Sequence, residues 1–118
     1  MGVKNIETEE WATIREFENY KVSNRGRVLA TSYLNKANKM EKERILKPSI
    51  KKDGYLQVSL TNDKGKKSIK VHRLVALSFI NNPEGKDTVN HIDGNKLNNS
   101  VYNLEWNDRS EQMFHAYS

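Results

Sequence analysis

The chain has 118 residues, 36% of them hydrophobic, and its twenty Lys and Arg outnumber fifteen Asp and Glu for a net charge of +5. That is one domain's worth of chain, and a mean hydropathy of −0.86, with no window near the roughly 18 uninterrupted apolar residues of a spanning helix, excludes a helical membrane protein. Cysteine is absent, so neither a disulfide framework nor a thiolate zinc site is available, and any metal must be held by nitrogen and oxygen.

Residues 1–31 balance five bases with five acids. No apolar leader follows Met1, which leads one to expect a cytoplasmic protein. Trp11, Ile14 and Phe17 are expected to pack on the inner face of a sheet and seal a small core. The sheet begins with Tyr20 to Asn24 and Arg27 to Thr31, two short strands joined through Asn24-Arg25-Gly26, where glycine takes a positive φ at little cost. Residues 32–44 are polar and lysine-rich, and they read as a surface loop or a short exposed helix without chemistry.

Residues 32–73 hold twelve bases against four acids, a local net charge of +8. Ile45-Leu46-Lys47-Pro48 is strand-like, but its proline lacks a ladder donor and places it at a sheet edge. Tyr55 to Leu60 and Lys67 to Val71 alternate on either side of the turn signal Asn62-Asp63-Lys64-Gly65, which predicts a hairpin. Its outward positions are expected to be Gln57, Ser59, Lys66, Lys67 and Lys70, a basic, hydrogen-bonding ribbon of the kind a nucleic-acid groove accepts. Phosphates would be drawn here, because each one neutralised releases a condensed counterion. A merely solvated face has the same composition, so charge alone leaves a small basic RNA-binding protein as an alternative.

Residues 74–118 reverse the balance, three bases against six acids. His72 to Ile80 takes helical spacing, with Leu74, Leu77, Phe79 and Ile80 as its apolar stripe, and Asn81-Asn82-Pro83 ends it. His72 reads as a structural histidine outside any site. Thr88 to His91 and Leu104 to Asn107 are short strands around a loop rich in Gly and Asn, and Asp108 with Glu111 forms a capping box for a final helix.

This strand–loop–strand–helix unit can bring His91, Asn103, Gln112 and His115 together. Twelve residues separate His91 from Asn103, twelve more lead to His115, and Gln112 shares a helix face with His115. Imidazoles and carboxamides without cysteine suit a hard or borderline divalent ion with open positions for water and phosphate. Histidine titrates near neutrality and can take a proton from water. The parts fit phosphodiester hydrolysis.

Residues 9–28, EEWATIREFENYKVSNRGRV, resemble the NUMOD4-like module that precedes many phage and intron HNH endonucleases. Residues 71–116, VHRLVALSFINNPEGKDTVNHIDGNKLNNSVYNLEWNDRSEQMFHA, resemble the HNH nuclease motif, with the HRLVALSF helix, the NHIDGNKLNN loop and NLEW at the family's spacing. The resemblance implies an α+β protein: a small antiparallel β-rich DNA-binding module over residues 1–50, then an HNH nuclease domain over 51–118 built on a ββα-metal (His-Me finger) motif. His91 is then the general base, and Asn103 holds the loop that aims it. One divalent ion, Mg²⁺ or Mn²⁺, is gripped by Asn90, Gln112 and His115. Asn90 stands where some relatives have aspartate, and Gln112 where asparagine is usual, so a full negative charge is missing at the metal.

The implied function is metal-dependent DNA endonuclease, phage- or intron-associated, acting in the cytoplasm of a bacterial host or phage-infected bacterium. Double-stranded DNA is the expected partner, reached by Arg25, Arg27, Lys47, Lys51, Lys52, Lys67, Lys70 and Lys96, with no small-molecule cofactor, and the protein is expected to be a monomer or weak dimer. The few residues after His115 lead one to expect modest target specificity. The alternative on the same fold is a DNA-binding protein with weakened or lost catalysis.

Overall fold

A computed structural model of the chain describes residues 8–31, 33, 34, 37 and 40–108. The described residues form a strand-rich α+β fold with one α-helix. β1 (Trp11–Ile14) and β2 (Phe17–Ser23) pair antiparallel through a tight turn in which Glu16 takes φ +72°, and β3 (Val28–Ala30) follows β2 across the Asn24–Gly26 turn. Gly26 has φ +89° there, as the turn signal required. Two short strands, β4 (Tyr33–Leu34) and β5 (Met40–Glu41), form a small ladder of their own. β6 (Arg44–Ile45) then closes the edge of the first sheet, whose order is β1-β2-β3-β6. The edge position expected from Pro48 is therefore occupied. What the sequence did not announce is the β1–β2 hairpin, because the Trp11, Ile14, Phe17 spacing carries no period-two alternation.

The second sheet is β7 (Ser49–Ile50), β8 (Leu56–Asn62) and β9 (Gly65–Lys70). Its register pairs Gln57 with Lys70, Ser59 with Ser68 and Thr61 with Lys66 on one face, and Val58 with Ile69 and Leu60 with Lys67 on the other. Lys67 thus lies on the opposite face from Lys66 and Lys70, which strand alternation demands. β9 runs directly into α1 (Val71–Phe79), whose Val71, Leu74 and Val75 are buried at i, i+3 and i+4. Leu77 falls off that stripe and is 62% exposed, unlike the expectation for it. β10 (Thr88–His91) and β11 (Leu104–Asn107) form the last hairpin, with a 3₁₀ turn at Val101–Asn103 leading into β11.

One apolar core joins these parts: Ile14, Phe17, Val22 and Val28 from the first sheet, Val58 and Leu60 from the second, the buried stripe of α1, and Val89 and Leu104 from the last hairpin. Trp106 Nε1 donates to the carbonyl of Ile80 at 3.0 Å and fastens β11 to the end of α1. The final helix expected after Asp108 lies outside the described residues. Among the described residues, no helix is long and apolar enough to cross a membrane.

Candidate active site

Strand alternation divides the last hairpin into two faces. Val89, His91 and Leu104 are buried toward the core, while Thr88, Asn90 and Glu105 are half-buried on the reverse. His91 ends β10 and is 7% exposed. Its Nε2 donates to Asn99 Oδ1 at 2.7 Å, and an amide oxygen can only accept, so the neutral ring keeps its lone pair on Nδ1.

The loop that supplies Asn99 is held by a dense set of amides. Asn103 Nδ2 donates to Asp93 Oδ1 at 2.9 Å and to the Asn98 carbonyl at 2.9 Å, while Asn103 Oδ1 accepts the Asp93 N–H at 3.0 Å. Asn98 Nδ2 and the Asn95 N–H bond the Asp93 carboxylate, and these donors, Asn98 first, hold its carboxyl below the usual range. Asn103 therefore ties the loop to Asp93 and Asn98, and Asn99 is the residue that touches the imidazole. In the sequence Asn99 is one of several amides in a loop rich in Gly and Asn and gives no local signal, because its bond to His91 spans eight residues.

The turn of the N-terminal hairpin closes over the same loop. Val101 N–H donates to the Asn24 carbonyl at 2.9 Å, and a Cβ on Gly26 would stand 2.8 Å from the Asn99 Cβ. The first sheet thus clasps the residue that orients His91.

Two rings pack behind His91. His72, set aside in the sequence as structural, lies with its ring centroid 4.8 Å from that of His91, and Tyr55 stacks on His72 at 4.8 Å. His72 is buried, and burial, reinforced by the neighbouring His91, Lys70 and Arg73, lowers its pKa to about 4. It is a neutral ring at physiological pH. Lys70 Nζ and Lys96 Nζ lie 4.6 and 4.8 Å from the centroid of Tyr55. Both also meet Asp53: Lys70 pairs with its carboxylate at 3.0 Å and Lys96 donates to its carbonyl at 2.7 Å. The Tyr55 N–H and Lys70 keep the Asp53 carboxyl below its usual range.

On the reverse face, Asn90 Nδ2 donates to Glu105 Oε2 at 2.9 Å, and the two residues are direct cross-strand partners. Among the described residues no three His, Asp or Glu side chains converge. A carboxamide beside a carboxylate is nonetheless the hard-oxygen chemistry that Mg²⁺ or Mn²⁺ accepts when water and phosphate complete its shell, so the donors present fit such an ion. Gln112 and His115 lie outside the described residues.

The other candidate DNA contacts spread over the surface. Arg27 Nε donates to Glu9 Oε2 at 2.9 Å, with Trp11 beneath the guanidinium. Arg25 occupies the turn beside it, its N–H donating to Ser23 Oγ at 3.1 Å. Lys47 and Lys51, with Arg44, Gln57, Ser59 and Ser68, line a groove of about 340 Å³ on the outer face of β7–β9, and Lys52 is exposed next to it.

Residues 9–61 match the NUMOD4 motif. The chain is 44% identical over 97 residues to an uncharacterized HNH endonuclease of Acanthamoeba polyphaga mimivirus, covering 82% of this chain and 27% of that protein. It is 42% identical over 98 residues to the DNA endonuclease I-HmuI of Bacillus phage SP01, covering 82% of this chain and 51% of that protein. A solved structure described as DNA binding and cleavage by the HNH homing endonuclease I-HmuI superposes with a TM-score of 0.74 at 37% identity, over 92% of this chain and 57% of that one. The chain thus spans between about a quarter and a half of the length of these curated relatives.

Proposed function

We propose, from the premise that this chain carries a NUMOD4 motif and is a relative of the HNH homing endonucleases, that it is a DNA endonuclease hydrolysing phosphodiester bonds on a ββα-metal motif. The observation that carries the reading is the His91–Asn99 bond. An acceptor at Nε2 favours the tautomer with its proton there and leaves Nδ1 as the lone pair able to take a proton from an attacking water. Asn103 fixes the loop, so the base is aimed before substrate arrives, and preorganisation of this kind lowers the barrier without cost at the moment of reaction.

A divalent ion, Mg²⁺ or Mn²⁺, would be held by Asn90 together with Gln112 and His115. When bound, it supplies Lewis-acid stabilisation of the charge that develops on the phosphate and the departing oxygen. The chain's own residues bind and orient. Lys70 and Lys96, bracketing Tyr55 near the base, meet phosphates next to the scissile bond, while the basic groove with Lys47 and Lys51 follows the backbone further away. Residues 1–50 serve as DNA-binding module and 51–118 as nuclease domain, with double-stranded DNA as partner.

The test is a plasmid-nicking assay with the purified chain in Mg²⁺ or Mn²⁺. Conversion of supercoiled DNA that stops with EDTA and is lost in His91→Ala supports the reading. Duplex binding without metal-dependent cutting would instead assign a DNA-binding protein with lost catalysis.

A further inference from the structure

Position 90 carries a neutral amide where a hard cation is best served by a carboxylate. The missing charge has a source one ladder rung away. Glu105 faces Asn90 across β10–β11, its Oε2 2.9 Å from the amide nitrogen. Among the described residues Glu105 is half-buried yet has no Lys, Arg or His in a salt bridge with it. A partly desolvated carboxylate without a counter-cation is unusual, since such charges are ordinarily paired or coordinate a metal. This reverse face is therefore polar and partly buried.

We propose that Glu105 is a ligand to the divalent ion and supplies, from the second strand, the negative charge that Asn90 lacks. The inference rests on the nuclease reading for the presence of the ion. In the state described, Asn90 turns its nitrogen toward Glu105. A cation shared by the two side chains requires the amide to rotate by half a turn, so that Oδ1 and Oε2 face the same point. The two ends of a carboxamide are nearly isosteric, so that rotation disturbs no packing. The Asn90–Glu105 hydrogen bond is then the resting form of the site, holding both donors in place until the ion exchanges for the amide hydrogens.

The experiment measures Mn²⁺ affinity of the full chain by electron paramagnetic resonance of free Mn²⁺, with plasmid nicking followed in parallel. Wild type should bind. Glu105→Gln, isosteric and uncharged, should weaken Mn²⁺ by on the order of tenfold to a hundredfold, the range that even outer partners of a metal command. Asn90→Asp should tighten it, and should restore most of the affinity lost in Glu105→Gln. Equal affinity in wild type and Glu105→Gln overturns the proposal, as does a wild type that binds no Mn²⁺. Should Glu105→Gln fail to give a cooperative thermal transition, Glu105→Ala decides in its place, and unchanged Mn²⁺ affinity in it overturns the proposal. If wild type nicks plasmid while Glu105→Gln retains affinity and rate, the ligand assignment fails and the nuclease stands. Glu105-dependent Mn²⁺ binding without nicking leaves the ligand assignment in place and removes the nuclease.

Discussion

The β8–β9 ribbon of the second sheet and the two-stranded β10–β11 hairpin are both antiparallel ladders with a polar face, and they use it in opposite ways. On the ribbon, Gln57 faces Lys70, Ser59 faces Ser68 and Thr61 faces Lys66. The closest polar contact among these pairs is a 3.4 Å approach of two serine hydroxyls; Lys66 stands in solvent, and Lys70, at the end that leads into α1, pairs with Asp53 rather than with its cross-strand neighbour. On the hairpin and its loop, His91, Asp93, Asn99 and Asn103 each have named partners at 2.7–3.0 Å. Ribbon charges act as a sum and tolerate displacement; hairpin side chains act one by one and do not. Substitutions should therefore separate the two regions by kind of effect as well as by size.

The sharpest separation is at His91. Removing a general base costs about 10² to 10⁴ in rate. His91→Ala should lower nicking by that much while duplex affinity stays within about twofold, and no ribbon lysine should reproduce this split. Parallel loss of binding and cleavage in His91→Ala, measured by nicking and by gel shift, would erase the distinction between the regions.

His72 offers the next largest effect, on stability. Its folded pKa, about 4, lies below the ordinary value of 6.5, so between those limits the unfolded chain binds the extra proton. The stabilisation is fully present above pH 6.5 and is lost as pH falls toward 4, about 3 kcal/mol in all. Glu9, Asp53 and Asp93 are held below their usual ranges, so the stability they contribute is lost at the acid end of this window and below it. Denaturant unfolding at several pH values should show the slope in wild type, and His72→Phe, which keeps a ring against Tyr55 and His91, should flatten it. An unchanged slope in His72→Phe would mean that the buried ring contributes nothing to acid sensitivity.

Gly26 tests how the N-terminal sheet reaches the hairpin. Alanine there meets a strained φ of +89° and a 2.8 Å approach to the Asn99 Cβ, so Asn99 must shift and its bond to His91 with it. Nicking by Gly26→Ala should drop by about tenfold, on the scale of a small misplacement of a catalytic group. Full activity in Gly26→Ala would uncouple the two parts.

The difference between the regions also explains what could be read in advance. Alternation marked β8 and β10 because Val58 and Leu60 on one, and Val89 and His91 on the other, are buried at every second position, and Gly26 and Gly65 marked turns because their φ values are positive. His91 and Asn103 are singled out by the resemblance, and the structure bonds Asn103 back to Asp93 across the loop. Asn99, His72, Tyr55 and Glu105 were not legible. Each acts through a partner that sequence distance hides: Asn99 through His91, His72 through a ring nineteen residues on, Tyr55 from a different sheet, Glu105 across a ladder. Gly26 was half legible. Its turn was visible, but the clearance it gives Asn99 exists only once the two hairpins meet.

The smallest effects belong to the groove beside the ribbon. Lys47 and Lys51 border the groove on β7–β9, and neither is in a salt bridge among the described residues. If each neutralises one phosphate, Lys47→Ala and Lys51→Ala should each lower the slope of log affinity against log salt by about 0.9, equally for any duplex sequence. Nicking at saturating DNA should be unchanged, because neither residue lies in the hairpin. The double variant should lose about twice the slope of either single one, since charges that act as a sum add when they are removed. A slope that stays constant, or a loss that depends on which duplex is offered, would show that the groove reads bases or binds nothing, and the ribbon would then resemble the hairpin more than its charges imply.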